Sequence, residues 1–204
     1  MFIEHPLLLI VQFRKGGMTE KMRGNGLLAL GEHNYPKYRG QIIELYLHAF
    51  TGGEYAQYID PPVAGSTLDG LIRNGWGNML FVGDRLAGVA LAMPLLQDSG
   101  FPAADLPSIP VERSLYISEV MVHAAFRGRG IAAQLVNGLL VRAESDYTDA
   151  VIRVWDRNKP ALSLYRKLGF YPVGSIWQTK LKSPGETFEM KKIYLHRYIL
   201  AAVQ

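Results

Sequence analysis

"VMVHAAFRGRGIAAQLVNGLL", residues 120–140, joins an apolar run to a helical pattern through a short loop. The loop carries Arg127, Gly128, Arg129 and Gly130 directly before the predicted helix. A helix start offers backbone N–H groups without intrahelical partners and the positive end of the helix dipole, so it suits an anion. Glycines let these amides approach phosphate oxygens, and arginines add charge-assisted hydrogen bonds. The loop therefore predicts a pyrophosphate site, with an ordinary strand-helix turn as the alternative.

Outward from this loop, strands and helices alternate along the chain. The spacing of apolar residues predicts strands at 114–122 and 149–156 and helices at 131–145 and 159–170. This β-α-β-α order predicts that the two strands pair in parallel. The sequence on both sides predicts four further features, namely a strand at 26–33, a helix at 35–50, a short helix at 66–75 capped by Ser66 or Thr67, and a hairpin at 78–94 that turns at Gly83-Asp84. Two long antiparallel strands around the turn "KSPGE" complete one mixed α/β domain.

The first 25 residues differ from the rest of the chain. They end in the Gly-rich "GGMTEKMRGNG", which predicts an N-terminal extension (residues 1–25) ahead of the domain at residues 26–204. The apolar run Leu7–Val11 is too short to span a bilayer and lacks the basic start of a secretory signal. We therefore predict a cytoplasmic protein without a membrane partner.

Composition and absent motifs exclude several classes of function. The chain has no cysteine, so disulfides, thiol nucleophiles and cysteine-ligated metals are excluded. The formal charge of +4 is small and the basic residues are scattered, so no nucleic-acid partner is predicted. The sequence contains no His-Glu-x-x-His, Gly-x-Ser-x-Gly or P-loop pattern. We expect no metal cofactor.

A dinucleotide-binding interpretation of the loop also exists. The letters "GRGIAA" (128–133) satisfy the pattern Gly-x-Gly-x-x-Gly/Ala, and Asp149 follows about 20 residues later. However, five residues separate Val122 from Gly128, and too few strand-helix units follow for such a domain. A nucleotide-dependent oxidoreductase is therefore a distant alternative.

Two motifs in order resemble the GNAT N-acetyltransferase family. The family's acyl-CoA loop reads Arg/Gln-x-x-Gly-x-Gly/Ala after a central strand, and Arg127, Gly130 and Ala132 fill those places. The later segment "NKPALSLYRKLGF" resembles the pattern Asn-x-x-Ala-x-x-x-Tyr-x-x-x-Gly-Phe. The residues that match this second pattern are Asn158, Ala161, Tyr165, Gly169 and Phe170. Together the motifs cover about residues 115–172, and the general layout extends the likeness to about 27–200.

The resemblance implies the GNAT-like acyl-CoA fold and a site for acetyl-CoA. In this fold the strands at 115–122 and 149–156 splay apart, and an unpaired strand edge can bind the amide units of pantetheine. The candidate backbone contacts on that edge are Val120, Met121 and Val122. The candidate pyrophosphate contacts are the loop residues Arg127, Gly128, Arg129, Gly130, Ile131 and Ala132. Asn158 and Ala161 are further cofactor candidates, and Asn158 is also expected to cap its helix.

Acetyl transfer to an amine needs a base for the amine and a proton for the departing thiolate. The resemblance implies that Tyr165 donates that proton, although Tyr165 also belongs to an apolar helical stripe and could be a core residue. Glu119 is the candidate base, because it interrupts an apolar strand where an unpaired carboxylate is costly. A raised pKa would suit this role, while a salt-bridged or exposed glutamate is the alternative. His123 and a direct water route are the other candidates for the base.

The sequence thus predicts an N-acetyltransferase that acts on a small-molecule or peptide amine in a ternary complex with acetyl-CoA. A noncatalytic acyl-CoA-binding regulator of the same fold is the alternative. Polyamines, aminoglycosides, amino acids and protein N-termini all stay open as acceptors. The loops at 51–62 and 94–113 are expected to border the acceptor site, where Glu54, Tyr55, Tyr58 and Asp60 would attract a cationic substrate. The last two strands could also pair between subunits in a homodimer.

Overall fold

The computed structural model of the protein describes residues 26–52 and 56–199. The predicted N-terminal extension, together with Glu54 and Tyr55, lies outside these residues. The elements, in chain order, are β1 (Gly26–Leu30), α1 (Tyr35–Phe50), α2 (Pro61–Arg73), β2 (Trp76–Val82), β3 (Arg85–Pro94), β4 (Ser114–Val122), α3 (Ile131–Ala143), β5 (Asp149–Trp155), α4 (Lys159–Lys167), β6 (Tyr171–Ser183) and β7 (Glu186–Tyr198). No helix in the described ranges is long and apolar enough to cross a membrane.

The seven strands form one mixed sheet in the order β1-β2-β3-β4-β5-β7-β6. The pairing of β4 with β5 is parallel, and the other five pairings in this sheet are antiparallel. The mixed α/β fold, the hairpin that turns at Gly83-Asp84 and the final antiparallel pair are thereby confirmed. A dinucleotide-binding domain needs a series of parallel strands, so this alternative does not fit the sheet.

Apolar side chains fill both faces of the sheet. On one face, α3 and α4 cover a core that includes Leu135 and Ile117. On the other face, α1 and α2 cover a second core that includes Ile42, Leu68 and Met121. A third cluster on this second face joins the 95–113 loop to β4, β5 and β7. The sheet thus separates an α3/α4 face from an α1/α2 face, and each candidate side chain belongs to one of them.

The helix predicted at 66–75 begins five residues earlier than expected. Its first residue is Pro61 and its N-cap residue is Asp60, so the proposed caps Ser66 and Thr67 lie inside the helix. Proline suits the first turn because its missing N–H has no intrahelical partner there. The prediction was wrong because consecutive prolines are typical of a loop, whereas burial of Ala64 and Leu68 extends the helix toward them.

The central strands diverge, as the family resemblance implied. Pairing between β4 and β5 runs from Ser114, opposite Asp149, to Ile117, opposite Ile152, and then stops. Beyond this point β4 continues along β3, while β5 continues along β7. The sheet therefore opens into a V between the second halves of β4 and β5.

A β-bulge in β4 lies at the point of divergence. Opposite β3, Leu91 pairs with Glu119 and Ala92 with Ile117, so Ser118 is the extra residue. Its hydroxyl donates to the carbonyl oxygen of Leu91 at 3.2 Å. Ile117 packs on the α3/α4 face, whereas Met121 packs on the α1/α2 face. In a regular strand these two residues would share a face, so the bulge turns Glu119 and Met121 toward α1 and α2.

Candidate active site

The V between β4 and β5 contains a cleft with a volume of about 600 Å³. It is bordered by β4 on one side and by β5, β7 and β6 on the other, while the starts of α3 and α4 close one end. Side chains from both faces of the sheet line it, among them Glu119 and Tyr165. Side chains that belong to opposite faces of the sheet therefore share one space.

The loop before α3 has the backbone geometry of an anion site. Gly128 and Gly130 have φ values of +75° and +73°, a region that glycine adopts without strain. The first hydrogen bond of α3 joins the N–H of Gln134 to the carbonyl of Gly130 at 3.1 Å. The amides of Ile131 and Ala132 precede that bond, so they have no acceptor within the helix. The loop thus presents unpaired N–H groups at the positive end of α3.

The space in front of these glycines is open. A Cβ atom added to Gly128 or Gly130 would meet no heavy atom of another residue within 4 Å. Gly128, Gly130, Ile131 and Ala132 all line the cleft. The amides, the helix dipole and the free space together fit a pyrophosphate group.

The two arginines of the loop lie differently. Arg127 lines the cleft, so its guanidinium is available to an anion there. Arg129 is not among the residues that line the cleft, and its guanidinium lies over the ring of Phe126, 5.5 Å from the centroid. Arg129 therefore belongs to the loop by its backbone, while its side chain covers an aromatic ring.

The free edge of β4 supplies backbone groups to the cleft. The N–H of His123 donates to the carbonyl of Ala87 on β3 at 2.9 Å. Because N–H groups alternate in direction along a strand, those of Val120 and Val122 point away from β3 and into the cleft. The same alternation turns the backbone groups of Met121 toward β3, and its side chain is buried between the sheet and α1/α2. Val120 and Val122 are thus the two residues of the predicted trio that face the cleft.

The second motif borders the other wall of the cleft at the start of α4. The side-chain oxygen of Asn158 accepts a hydrogen bond from the N–H of Ala161 at 3.2 Å, which confirms that Asn158 caps this helix. Both residues line the cleft. The cap fixes the first turn of α4 and thereby the position of Tyr165, one turn further on.

Tyr165 belongs to the core and to the cleft at once. Only 6% of its surface is exposed, its ring contacts Phe170 edge-on with centroids 6.1 Å apart, and it lines the cleft. Burial, and then the nearby Glu119 carboxylate, raise the pKa of the Tyr165 phenol above its usual range. The phenol is therefore protonated at neutral pH and able to donate.

Glu119 is half-buried in the cleft on the α1/α2 face. Burial raises the pKa of this carboxyl to about 7, against the opposing effect of Lys192, Lys180 and Arg153. A carboxyl with this pKa exchanges protons at neutral pH, which is the property of a general base.

His123 has a structural role at the end of β4. Its Nδ1 accepts a hydrogen bond from the N–H of Ala125 at 3.2 Å and so caps a short 3-10 turn, Ala124–Phe126. Its ring stacks on His48 with centroids 4.6 Å apart. Burial, followed by the charge of His48, lowers the pKa of His123. His123 is not among the residues that line the cleft, so the geometry favours Glu119 as the base.

The α1/α2 side of the cleft contains basic residues that sequence reasoning missed. Arg153 comes from β5, Lys180 from β6 and Lys192 from β7. The signal in the sequence was a lysine or arginine among alternating apolar residues of a strand, but it does not reveal which strands lie side by side.

In contrast, Tyr58 and Asp60 are not among the lining residues, and the loop at 95–113 packs against Tyr194 instead. The expected acidic border of the acceptor site is therefore not found in the described residues.

No group of three or more histidine, cysteine or acidic side chains in residues 26–52 and 56–199 is arranged to hold a metal ion. The polar groups that line the described cleft include phenols, side-chain amides, a serine hydroxyl, several basic groups and one carboxyl group, that of Glu119.

Comparison with known proteins agrees with this geometry. Solved structures with the same fold include an N-acetyltransferase from Staphylococcus aureus Mu50, at 16% identity and a TM-score of 0.64, which covers 86% of this chain and 99% of that chain. A putative acetyltransferase from Salmonella typhimurium with its cofactor acetyl-CoA has 14% identity and a TM-score of 0.63, covering 89% and 97% of the two chains. A ribosomal-protein-alanine N-acetyltransferase from Brucella melitensis has 18% identity and a TM-score of 0.61, covering 84% and 98%.

A search of curated proteins found no match. The model of the acetyltransferase (GNAT) family, however, matches residues 39–170, which span both motifs and the whole cleft region of β4, α3, β5 and α4. Since this match covers more than half of the chain, the protein belongs to the acetyltransferase (GNAT) family.

Proposed function

We propose that the protein transfers the acetyl group of acetyl-CoA directly to a primary amine while both substrates are bound. The observation that carries the proposal is a cleft that passes between the diverging β4 and β5, with an anion cradle at its α3 end and the Glu119 carboxyl on the opposite face. Two substrates can thus enter from opposite faces and meet inside the sheet.

The cofactor would lie on the α3/α4 face. The amides of Gly128 to Ala132, with the guanidinium of Arg127, would hold its pyrophosphate. The cleft-facing backbone groups of Val120 and Val122 would bind the amides of its pantetheine arm, as an added strand does. Asn158 and Ala161 would border the same arm from α4.

The chemistry would use one proton acceptor and one proton donor. Glu119 takes a proton from the substrate ammonium, directly or through a water molecule, and leaves a neutral amine. The amine nitrogen then bonds to the thioester carbonyl carbon, and the cleft-facing N–H of Val120, next to Glu119 on β4, donates to the negative oxygen, while the Val120 carbonyl and the Val122 backbone remain for the pantetheine amides. As the C–S bond breaks, the Tyr165 hydroxyl gives its proton to the thiolate, and the nitrogen loses its remaining excess proton through water, which leaves the neutral amide. Tyr165 then regains a proton and Glu119 releases one by exchange with solvent. The products are an amide and CoA.

The test is release of the CoA thiol from acetyl-CoA in the presence of a panel of amines, with mass spectrometry of the products. We expect thiol release that depends on an amine and an amine product heavier by one acetyl group. Tight CoA binding by calorimetry without thiol release for any amine would support the noncatalytic acyl-CoA-binding alternative instead.

A further inference from the structure

Three basic side chains share the cleft with Glu119. Arg153, Lys180 and Lys192 come from three different strands, line the cleft and are each half-buried. Lys192 lies two residues from Tyr194 on β7, and Tyr194 packs on the α1/α2 face. Ile176 pairs with Lys192 and lies four residues before Lys180 on β6. By strand alternation, both lysines therefore project toward the α1/α2 face, where Glu119 also lies.

Arg153 has partners in the protein. Its Nη1 donates to the Tyr194 hydroxyl at 3.0 Å and lies 3.7 Å from Oδ2 of Asp98. Its guanidinium also lies over the rings of Tyr116 and Tyr194. The charge of Arg153 is thus balanced by Asp98, and its position is fixed by aromatic contacts.

Among the residues that the structure describes, the two lysines have no comparable partner. The ion pairs found in the described ranges include neither Lys180 nor Lys192. Burial lowers the pKa of both ammonium groups, to about 8 for Lys192, while Glu119 acts in the opposite direction. Two half-buried cations thus face one carboxyl group in the described cleft, which leaves positive charge uncompensated. Keeping buried charges without a partner is costly, so a ligand group is expected to complete the site.

The phosphates of the cofactor are not that ligand group. The cradle for the pyrophosphate lies at the start of α3, and α3 covers the opposite face of the sheet. The lysines are therefore left for the acceptor, which enters on the α1/α2 face.

We propose that the acceptor is an amine that carries an anionic group, a carboxylate or a phosphate, which binds Lys180 and Lys192. This inference rests on the proposed acetyl transfer. The same cations lower the pKa of a nearby substrate ammonium and so favour the neutral, nucleophilic amine. Polyamines and aminoglycosides are disfavoured, because additional positive charges would face the lysines without compensation.

Matched ligand pairs test the proposal. Acetyl-transfer rates are compared for glycine against glycinamide and for phosphoethanolamine against ethanolamine, with spermidine as the polycation. In parallel, calorimetry on the CoA-loaded protein compares N-acetylglycine with N-acetylglycinamide, and N-acetylphosphoethanolamine with N-acetylethanolamine. We expect the anionic member to be preferred about ten- to a hundredfold in at least one pair, as for hydrogen bonds to charged groups. The pair with the larger preference distinguishes carboxylate from phosphate.

A double variant and a matched control connect this preference to the lysines. Lys180→Met with Lys192→Met should remove it, and melting curves check that the double variant folds. Lys191→Met is the matched control, because Lys191 is also half-buried on β7 but does not line the cleft. It should keep the preference.

Equal binding of anionic and neutral analogues, no measurable binding of either anionic analogue at millimolar concentration, or an unchanged preference in the double variant would each overturn the proposal. Failure of acetyl transfer is a separate result: thiol release would be absent for every amine while the calorimetric preference for anions persists.

Discussion

Glu119 shows how one inserted residue decides the role of a side chain. The extra residue Ser118 turns Glu119 out of the α3/α4 core and into the cleft beside Lys180 and Lys192. Partial burial then raises the pKa of the carboxyl to about 7. A base with this pKa is ionised above pH 7 and protonated below it.

We predict that Glu119→Gln lowers kcat/KM by about 10² to 10⁴ above pH 7 and leaves CoA affinity unchanged. Wild-type kcat/KM should fall about tenfold per pH unit below about pH 7, so the gap between the two profiles should narrow steadily as pH decreases. The sequence alone predicts the largest loss at low pH, where the amine is least often neutral. The raised pKa of Glu119 reverses this expectation. At low pH the carboxyl is already protonated and cannot accept a proton, so the loss of kcat/KM should be smallest there. The measurement is the pH dependence of kcat/KM for wild type and Glu119→Gln. Glu112→Gln is the control, because Glu112 is exposed. Parallel profiles of wild type and Glu119→Gln at all pH values would exclude Glu119 as the base.

We predict that Tyr165→Phe slows the acetyl-transfer step about 10²-fold or more and barely changes the melting temperature or CoA affinity. The replacement removes the hydroxyl but keeps the ring in contact with Phe170. Single-turnover kinetics are needed, because slow product release would mask the loss in steady state. Tyr147→Phe is the control, since Tyr147 packs on Trp76 and does not line the cleft. Reduced stability with unimpaired single-turnover rates would restrict Tyr165 to the core.

At the scale of elements, the start of α3 is the part most dependent on backbone conformation. Gly130 is its N-cap residue in the left-handed region, and it lines the cleft together with Ile131 and Ala132, whose amides have no acceptor within the helix. A side chain here would occupy the space in which the pyrophosphate is expected to lie.

We predict that Gly130→Leu weakens CoA binding about tenfold or more, as for the loss of one hydrogen bond to a charged group. Pantetheine, which lacks the nucleotide, should bind wild type far more weakly than CoA. Gly185→Leu is the control, because Gly185 has a φ of +83° in the β6–β7 turn and meets the same backbone strain. Calorimetry measures the affinity of each variant for CoA and of wild type for pantetheine and NAD. Equal affinities for CoA and pantetheine, or tighter binding of NAD than of CoA, would contradict a pyrophosphate site at the start of α3.

At the scale of the whole molecule, a group of hydrogen-bonded polar side chains around the buried His196 joins strands β5, β6 and β7. His196 on β7 lies between Asp149 and Tyr171 and forms a hydrogen bond with each. The distance from Nε2 to Oδ1 of Asp149 is 2.6 Å, and that from Nδ1 to the Tyr171 hydroxyl is also 2.6 Å. The hydroxyl of Thr148 donates to the other oxygen of Asp149 at 2.6 Å. The group connects β5, β6 and β7 at the end away from the cleft, since none of its members lines the cleft.

We predict that His196→Phe lowers the free energy of unfolding by about 3–5 kcal/mol, because it leaves the Asp149 carboxylate buried without its partner. Adding Asp149→Leu should recover much of this loss, since no unpaired charge then remains. Urea unfolding followed by circular dichroism measures both, and CoA affinity at low temperature should stay near wild type. If the double variant is no more stable than the single one, lost packing rather than the unpaired carboxylate would explain the effect.

The features that could be predicted from the sequence are those that depend on neighbouring residues. Apolar periodicity predicted the strands and helices around the cleft to within a few residues, and the two motifs identified the family. The glycines before α3 and the cap by Asn158 are local as well, since each depends on contacts within a few residues.

Features that depend on the packing of distant segments could not be predicted from the sequence and required the folded structure. The bulge at Ser118 arises from pairing with β3, and it separates Glu119 from the core face that strand alternation alone would assign. Arg153, Lys180 and Lys192 are 12 to 39 positions apart in the chain and meet only because β5, β7 and β6 lie side by side. Strand order and register are set by the burial of both sheet faces, which no single strand encodes. The basic character of the acceptor side is therefore a property of the assembled sheet.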